Sequence, residues 1–114
     1  MSERRGKYNA RRSGQFDSLA EERRYHELML LEKAGDIIGL TVHPVFEIFQ
    51  AFTDGTGKKH RGIRYEADFQ YTEGGRVIVE DVKGVETEVF KIKRKLFVFQ
   101  MRDFGVDEFR TVKP

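Results

Sequence analysis

The sequence predicts an α/β or α+β protein in which a mixed central sheet is flanked by helices. A helical pattern comes first, three or four extended runs follow it, and a second helical pattern precedes a short last strand. Tight turns between the extended runs indicate antiparallel hairpins, and a strand that returns after a helix completes the sheet. The predicted order is therefore helix, three or four strands, helix, strand.

The first helix is predicted over about residues 18–34. Asp17 or Ser18 can cap its first turn, and Glu21 stands three residues beyond Ser18, as in a capping box. Gly35 supplies the usual C-terminal stop. The apolar face of this helix comprises Leu19, Tyr25, Leu28, Met29 and Leu31.

The extended runs begin at about residue 40. Pro44 marks an edge strand or a break between two strands, and residues 53–57 are typical of a hairpin turn. The next run alternates between apolar and polar residues, which predicts a strand with two different faces. Its apolar face comprises Ile63, Tyr65, Ala67, Phe69 and Tyr71, and its polar face comprises Arg64, Glu66, Asp68 and Gln70.

A second turn at Gly74-Gly75 leads into residues 76–83, whose nearly continuous apolar run is typical of a central strand buried on both sides. A second helix is predicted over about residues 86–101, and a last strand over about 107–112. The apolar stripe of the second helix comprises Val89, Ile92, Leu96 and Phe99, and the basic side chains around it are Lys91, Lys93, Arg94 and Lys95.

The composition excludes several classes of protein. The 114 residues suffice for one domain, and 10 Phe with 4 Tyr are not typical of a disordered chain. No apolar run approaches the roughly 18 residues of a membrane span, and no apolar secretory signal opens the chain, so we expect a cytoplasmic protein without a membrane partner. The absence of cysteine excludes disulfides, thiolate zinc sites and cysteine nucleophiles. Any metal would be held by oxygen or imidazole, which favours a hard cation such as Mg²⁺.

Positive charge is concentrated at the start of the chain. Residues 1–12 carry five basic side chains against one acid, a sum of +4, whereas the other 102 residues carry 16 basic and 18 acidic side chains, a sum of −2. We expect residues 1–14 to be a flexible basic arm that binds phosphates, or a merely solvated terminus, and residues 15–114 to form a single domain. The basic side chains of the arm are Arg4, Arg5, Lys7, Arg11 and Arg12.

The candidate chemistry lies on the hairpin that turns at Gly74-Gly75. Side chains alternate along a strand, so Asp81 and Lys83 share one face. With the turn at these glycines, the numbers of opposed residues sum to about 149, which places Asp68 opposite Asp81 with Cβ atoms about 4.5–5.5 Å apart. Two carboxylates this close repel each other, so we expect a positive group between them, either Lys83 or, better, a divalent cation. The alternative is a cross-strand salt bridge between Lys83 and one of the acids on an exposed face.

These residue types suit metal-assisted hydrolysis of a phosphodiester. Asp68, Asp81 and the main-chain carbonyl of Val82 would bind one or two Mg²⁺ ions, which lower the pKa of a bound water and stabilise charge on the phosphate. Lys83 would position the attacking water or help to deprotonate it.

The same residues carry a resemblance to a known family. Asp68 followed by Asp81-Val82-Lys83 resembles the PD-(D/E)xK motif of restriction-endonuclease-like nucleases. Four longer strings, in order, are similar to a phage and prophage family of nucleases of the Holliday junction resolvase type, over about residues 7–112. These strings are Phe16-Asp17-Ser18 with Glu21 and Arg24-Tyr25, then Tyr65 to Phe69, Val79 to Gly84, and Lys93 to Phe97.

The resemblance implies a restriction-endonuclease-like core and the catalytic residues Glu21, Asp68, Asp81 and Lys83. Glu21 matches the helix glutamate that completes the metal site in many such nucleases. Glu22 leaves an ambiguity of one residue, and the alternative for Glu21 is a role in the capping box alone. Ala67 stands where the motif has proline, at a position that varies in the superfamily.

The function implied by the resemblance is that of a Mg²⁺-dependent endodeoxyribonuclease, with Mn²⁺ as an alternative metal and no small-molecule organic cofactor. It would resolve branched DNA, a four-way (Holliday) junction, through paired symmetric nicks made by a homodimer. The alternatives are a related nuclease that acts on linear or other branched DNA and a non-catalytic DNA-binding module.

The remaining predictions concern other basic residues, the histidines and the dimer interface. Basic side chains expected to contact the DNA backbone, or otherwise to be solvated, are Lys58, Lys59, Arg61, Lys91 and Lys95. The histidines show no metal-ligand spacing and are interpreted as structural: His26, His43 and His60. The expected dimer interface is residues 42–52 or the second helix.

Overall fold

A computed structural model describes residues 16–114, so the basic arm predicted for residues 1–14 lies outside the described part of the chain. Within residues 16–114, two α-helices and eight strands follow one another, with a short 3-10 helix after the second α-helix. In chain order the elements are α1 (Leu19–Ala34), β1 (Ile38–Val42), β2 (Val45–Phe49), β3 (Phe52–Thr53), β4 (Lys59–His60), β5 (Ile63–Glu66), β6 (Phe69–Glu73), β7 (Arg76–Val82), α2 (Glu88–Gln100), the 3-10 helix (Met101–Phe104) and β8 (Glu108–Val112).

The main sheet has four strands in the order β1-β6-β7-β8. The strand β7 is antiparallel to β6 and parallel to β8, so the sheet is mixed and the α/β class is confirmed. Opposed residues of β6 and β7 run from Phe69 and Glu80 to Glu73 and Arg76, and each pair sums to 149, as the turn at Gly74-Gly75 predicts. Two smaller sheets pair β2 with β5 and β3 with β4.

The start of α1 is fixed by its capping residues. The main-chain N–H of Glu21 donates to Ser18 Oγ at 3.1 Å, and the main-chain N–H of Asp17 donates to Glu21 Oε1 at 3.0 Å. The reciprocal bond of a capping box is thus present, although it reaches one residue further back than the N-cap. Gly35 ends the helix at a φ of 86°, a left-handed conformation that glycine adopts without strain.

Fewer apolar side chains of α1 are buried than its sequence pattern predicts. Leu28 is fully buried, with Tyr25 and Leu31 beside it, but Leu19 is 73% exposed and Met29 is also exposed. Leu19 lies nine residues from Leu28, which is about half a turn around the helix, so the two side chains cannot face the same core.

The alternating run of residues 63–71 is two strands and not one. It divides at Ala67–Asp68, where the chain leaves β5 and enters β6. A second break, at His43–Pro44, lies beside the first, because His43 N–H donates to the Asp68 carbonyl at 2.9 Å and Ala67 N–H donates to the Pro44 carbonyl at 3.0 Å. The prediction that Pro44 breaks the chain into two strands is confirmed.

This division changes the packing of the predicted apolar face. Tyr65 packs in one core cluster, with Phe97 of α2, whereas Phe69 packs in another, with Leu28 of α1. The single face predicted for residues 63–71 is therefore wrong beyond Ala67. The strand β7 separates the two clusters, and both of its faces are buried, as predicted for a central strand.

The predicted apolar stripe of α2 is not its buried face. Phe90 and Phe97 pack into the core, whereas Val89, Ile92 and Phe99 are exposed. Both phenylalanines contact a cluster that contains Tyr65 and Val79, and large aromatic side chains gain most from burial there.

In the described part of the chain, no helix combines the length and the apolar character that crossing a membrane requires.

Candidate metal centre

Asp68 and Asp81 meet at the end of the β6–β7 ladder. Asp68 directly precedes β6, its N–H donates to the Glu80 carbonyl at 3.2 Å, and its Oδ2 accepts from Val82 N–H at 2.7 Å. The two carboxyl groups lie within hydrogen-bonding reach of each other. The register predicted from the glycine turn thus brings these acids together.

Ionising Asp68 and Asp81 together is unfavourable, because both carboxyl groups are buried and their negative charges repel each other. Burial, followed by the charges of Asp81 and Glu21, raises the pKa of Asp68 to about 9. Burial also raises the pKa of Asp81, although Tyr65, Asp68 and Lys83 oppose that rise. At neutral pH the pair therefore holds a proton in the absence of another positive group.

Asp81 carries an oxygen without a donor. Its side chain is 1% exposed, and Oδ1 has no hydrogen-bond donor among the described residues. The neighbouring Asp68 supplies one only while it keeps its proton. A buried carboxylate oxygen in this position fits a cation, because oxygen ligands are what hard divalent ions prefer.

Tyr65 satisfies the other oxygen of Asp81. The Tyr65 hydroxyl donates to Asp81 Oδ2, and burial together with the Asp81 charge raises the pKa of Tyr65. Tyr65 was predicted on a buried face without a role in the site. The one available signal was that a buried tyrosine hydroxyl needs a hydrogen-bond partner.

Glu21 reaches this site from the first turn of α1. It is 4% exposed, and a carboxylate oxygen of Glu21, a ring nitrogen of His43 and a carboxylate oxygen of Asp68 all lie within 4.8 Å of one another. Glu22 is not in this group, so of the two adjacent glutamates it is Glu21 that lies beside Asp68.

His43 is the second residue that sequence reasoning missed. Its Nε2 lies 2.6 Å from Glu21 Oε2, and the hydrogen bond to Glu21 raises the pKa of the His43 ring. His43 has a φ of 56°, the left-handed region that residues other than glycine rarely adopt. The sequence offered one signal. His43 precedes Pro44 at a predicted break between strands, and histidine adopts the left-handed conformation more often than most residues other than glycine.

Lys83 lies on the same face of the strand as Asp81, as alternation predicted. Its charge lowers the pKa of Asp81, and its Nζ lies 4.8 Å above the centre of the Phe90 ring. Among the described residues, Lys83 forms no ion pair with an acid within 4.0 Å. The alternative of an exposed salt bridge with Asp68 or Asp81 is therefore wrong.

On the opposite face of β7, both carboxylate oxygens of Glu80 accept hydrogen bonds. Glu80 is 0% exposed, and Arg24 donates to it from Nε at 2.6 Å and from a terminal nitrogen at 3.0 Å. Tyr71 adds a third hydrogen bond to Glu80. Of the two neighbouring acids Glu80 and Asp81, only Asp81 has an oxygen left to bind a cation.

The predicted DNA-binding residues fall into three groups, two of which the structure describes. Lys58 and Lys59 lie on the β3–β4 hairpin, and Arg61 follows it. On α2, Lys91 pairs with Glu88 at 3.2 Å and Lys95 is exposed. The five basic residues predicted in the arm lie outside the described residues.

The main-chain carbonyl of Val82 remains a predicted metal ligand, and its N–H donates a hydrogen bond to Asp68 Oδ2.

A basic groove runs beside the β2–β5 sheet. It has a volume of about 610 Å³. Three cations line it, and two of them, Arg64 and Lys93, were not predicted to bind DNA. No residue larger than glycine fits at position 62 of the groove, because the Cβ of such a residue would lie 2.7 Å from the Phe49 carbonyl oxygen. The residues that line the groove are Glu47, Ala51, Arg61, Gly62, Ile63, Arg64 and Lys93.

The fold and the site define an α/β protein with a buried acidic cluster where the central sheet meets its first helix. The chain belongs to the DUF1064 family, whose model matches residues 5–113. The members of this family are described as proteins of unknown function. No curated protein and no solved structure matches this chain.

Proposed function

We propose that this protein is a Mg²⁺-dependent endodeoxyribonuclease of restriction-endonuclease-like fold that resolves four-way DNA junctions. The observation that carries the proposal is that, among the described residues, the buried Asp81 Oδ1 has no donor and lies next to a second acid, while Lys83 pairs with no acid within 4.0 Å. A domain that only binds DNA gains nothing from gathering acids where phosphates must approach.

The ligand set favours Mg²⁺, with Mn²⁺ as an alternative. Glu21 and Asp68 offer carboxylate oxygens in one group with a ring nitrogen of His43, which suits Mn²⁺ better than Mg²⁺. Asp81, which neighbours Asp68, offers its Oδ1 beside this group. A divalent ion bound here would supply Lewis-acid stabilisation of the phosphate and a more acidic water. It would also remove the repulsion that keeps a proton on the acid pair.

The protein side chains have separate roles in this chemistry. Lys83 is free to hold the attacking water or a phosphate oxygen, since no acid within 4.0 Å neutralises it among the described residues. Tyr65 fixes the rotamer of Asp81 through Oδ2 and leaves Oδ1 for the ion. Glu21 is held by Asp17 N–H and by His43, so its position is set before a metal binds.

The basic groove supports contact with the DNA backbone. Tyr65 and Arg64 are neighbours on β5, so the strand that reaches Asp81 also carries a cation of the groove. Arg61 and Lys93 add positive charge to the same groove. Contacts of this kind bind phosphates without reading bases, which suits recognition of a junction by its shape.

The order of the elements also supports the proposed fold. The helix α1 supplies Glu21, the antiparallel hairpin β6–β7 supplies the two aspartates and Lys83, and α2 leads to the parallel strand β8. This is the arrangement implied by the resemblance to PD-(D/E)xK nucleases.

Cleavage of a synthetic four-way junction tests the proposal. Each strand is labelled in turn, and Mg²⁺ is expected to produce two nicks related by the symmetry of the junction. Asp81→Asn should remove nicking and keep junction binding. The matched control is Asp103→Asn, because Asp103 is an exposed aspartate outside the cluster.

The competing functions give different results in the same assay. Equal cleavage of the junction and of its separate linear arms would indicate a nuclease of linear duplex. Binding of the junction without nicking under Mg²⁺ and under Mn²⁺ would indicate a non-catalytic module. Nicking that persists in chelator would contradict the role of the acids as metal ligands.

A further inference from the structure

Residues 45–66 form one long hairpin whose strand pairing is interrupted once. The outward strands β2 and β3 pair with the returning strands β5 and β4, and residues 50–51 and 61–62 lie between the two pairs. The basic groove lies at this interruption, because Ala51, Arg61 and Gly62 line it. The groove is therefore a feature of the hairpin, and none of the acids of the metal centre belongs to its lining.

Two exposed phenylalanine side chains border the groove. Phe49 pairs with Ile63, which lines the groove, and it is exposed on β2. Phe52 directly follows Ala51, which also lines the groove. The two rings are 48% and 45% exposed, their centroids lie 6.0 Å apart, and their planes cross at 83°. Exposed aromatic rings beside a cationic groove are typical of sites where the bases of a single strand stack.

The position of the Phe52 ring is set by the tip of the hairpin. The His60 ring stacks on it, with centroids 4.7 Å apart and planes only 13° from parallel. His60 Nε2 lies 2.8 Å from Asp54 Oδ2, and Asp54 Oδ1 accepts from the main-chain N–H groups of Thr56 and Lys58 at 2.8 and 3.1 Å. A ring oriented before its ligand arrives loses less conformational freedom on binding, which favours affinity.

The charge of the groove selects an anionic ligand. Its lining contains three cations, Arg61, Arg64 and Lys93, and one acid, Glu47. Among the described residues, none of the three cations lies within 4.0 Å of an acid. Their charge is therefore available to phosphates, and the Glu47 carboxylate can accept a hydrogen bond from the amino group of a base.

The size of the groove narrows the choice further. Its volume of about 610 Å³ lies within the range of about 300–1,000 Å³ that is usual for sites of small organic molecules, and a nucleotide is a molecule of this kind. A lone phosphate would leave most of this volume empty. A base inside a duplex is stacked and paired, so it cannot enter the groove. The groove therefore fits an unpaired nucleotide.

We propose that the groove and its two phenylalanines bind an unpaired stretch of DNA, with phosphates on the three cations and a base stacked on Phe52. The proposal rests on the proposed function and deepens it, because it names branched DNA with unpaired nucleotides at the branch point as the preferred substrate. Binding at this site needs neither the metal nor cleavage. It can therefore be tested apart from the nuclease.

A tryptophan introduced at position 52 tests the stacking directly. The chain has no tryptophan, so Phe52→Trp adds a single fluorescent reporter. In chelator, an oligothymidylate of about eight nucleotides, a length typical of such sites, is expected to quench its emission because a base stacks on the indole ring. A strand of the same length without bases keeps the phosphates and should quench it little. The matched control is Phe99→Trp on α2, where the native side chain is 89% exposed, and its emission should not change.

Fluorescence anisotropy with a labelled oligothymidylate, also in chelator, measures what the rings contribute to affinity. Phe52→Leu is expected to raise the dissociation constant about tenfold, because it keeps an apolar side chain and removes the stacking surface. Phe49→Leu tests the second ring in the same way and serves if Phe52→Leu does not fold. Phe99→Leu should leave the dissociation constant unchanged. The affinity for a blunt duplex should be the same in all these variants, since a duplex offers no base to stack.

Three results would overturn the proposal. The first is equal quenching by the strand without bases, and the second is an equal loss of affinity for the duplex and for the single strand in Phe52→Leu. The third is a change of the Phe52→Trp emission on dilution without DNA, which would show that a second copy of the chain covers the ring. A protein that binds single strands as described but does not nick junctions would keep the site and reject only the nuclease. A protein that nicks junctions but binds single strands equally well with and without Phe52 would reject only the site.

Discussion

Tyr65 donates a hydrogen bond to Asp81 across the boundary between two sheets. Tyr65 belongs to β5 of a small two-stranded sheet, and Asp81 belongs to β7 at the centre of the main sheet. The bond occupies Oδ2 and leaves Oδ1 without a donor among the residues that the structure describes. A contact between sheets thereby determines which oxygen of the aspartate can bind a cation.

Tyr65→Phe is expected to weaken Mg²⁺ binding by about 10- to 100-fold, because groups that orient a metal ligand typically contribute that much. Isothermal titration calorimetry measures the effect. Tyr71→Phe is the matched control, since it removes the same hydroxyl from Glu80 on the opposite face of β7. It should lower stability and leave Mg²⁺ affinity unchanged. Equal affinity in both variants would contradict the positioning role of Tyr65.

The stability of the metal-free protein should fall as the pH rises from about 4 to about 9. The pKa of Asp68 is raised from 3.8 to about 9, so the folded chain retains a proton that the unfolded chain releases. Stability from this proton is present at low pH and is lost as the pH rises towards the folded pKa. The bond to Glu21 raises the pKa of His43 and acts in the same direction. Chemical denaturation at a series of pH values measures the slope.

Asp68→Asn should flatten this slope and raise the metal-free stability at pH 8, because an amide keeps the acceptor for Val82 N–H and removes the buried charge. The same variant should lose the rise in melting temperature that Mg²⁺ gives the unaltered protein. A slope identical to that of the unaltered protein would show that another group titrates in this range.

His43→Gly is expected to be more stable than His43→Ala by about 1 kcal/mol, because only glycine adopts the left-handed conformation without strain. Both variants lose the bond to Glu21, so their difference isolates the backbone at a φ of 56°. Thermal unfolding of the two proteins measures it. If alanine were the more stable of the two, the left-handed turn before Pro44 would not be present in solution.

Arg64→Gln is expected to weaken junction binding and to reduce the slope of log affinity against log salt by about 1, as the loss of one phosphate contact does. Arg23→Gln is the matched control, because Arg23 is an exposed arginine of α1 outside the groove. Fluorescence anisotropy over a range of salt concentrations gives both slopes. An unchanged slope for Arg64→Gln would exclude the groove from the DNA path.

The central part of the site was predictable because it depends on short-range rules. The glycine turn fixes the register of β6 and β7, and strand alternation then puts Asp81 and Lys83 on one face. Capping preferences fix the start of α1 and thus the position of Glu21. Each of these rules needs only neighbouring residues.

The contributions of His43 and Tyr65 were not predicted because they depend on two chain breaks that lie side by side. A regular alternation from Ile63 to Tyr71 gives no sign that the chain changes sheets at Ala67. The buried face of α2 was missed for a related reason. Phe90 and Phe97, seven residues apart, form a narrower stripe than the predicted one of four residues, and tertiary packing decides which stripe is buried.

The paired breaks also make residues 44–67 an excursion that leaves the main sheet and returns to it at adjacent points. Its two ends are joined by main-chain hydrogen bonds, so changes of length at its tip, between β2 and β5, need not disturb the β6–β7 ladder. The basic groove and the acid pair therefore depend on different parts of the chain, since Arg61 and Arg64 lie within the excursion and Asp68 and Asp81 lie outside it. The hydroxyl of Tyr65 is the side-chain link from this excursion to Asp81, so the loop between β2 and β5 can vary in length without moving the acid.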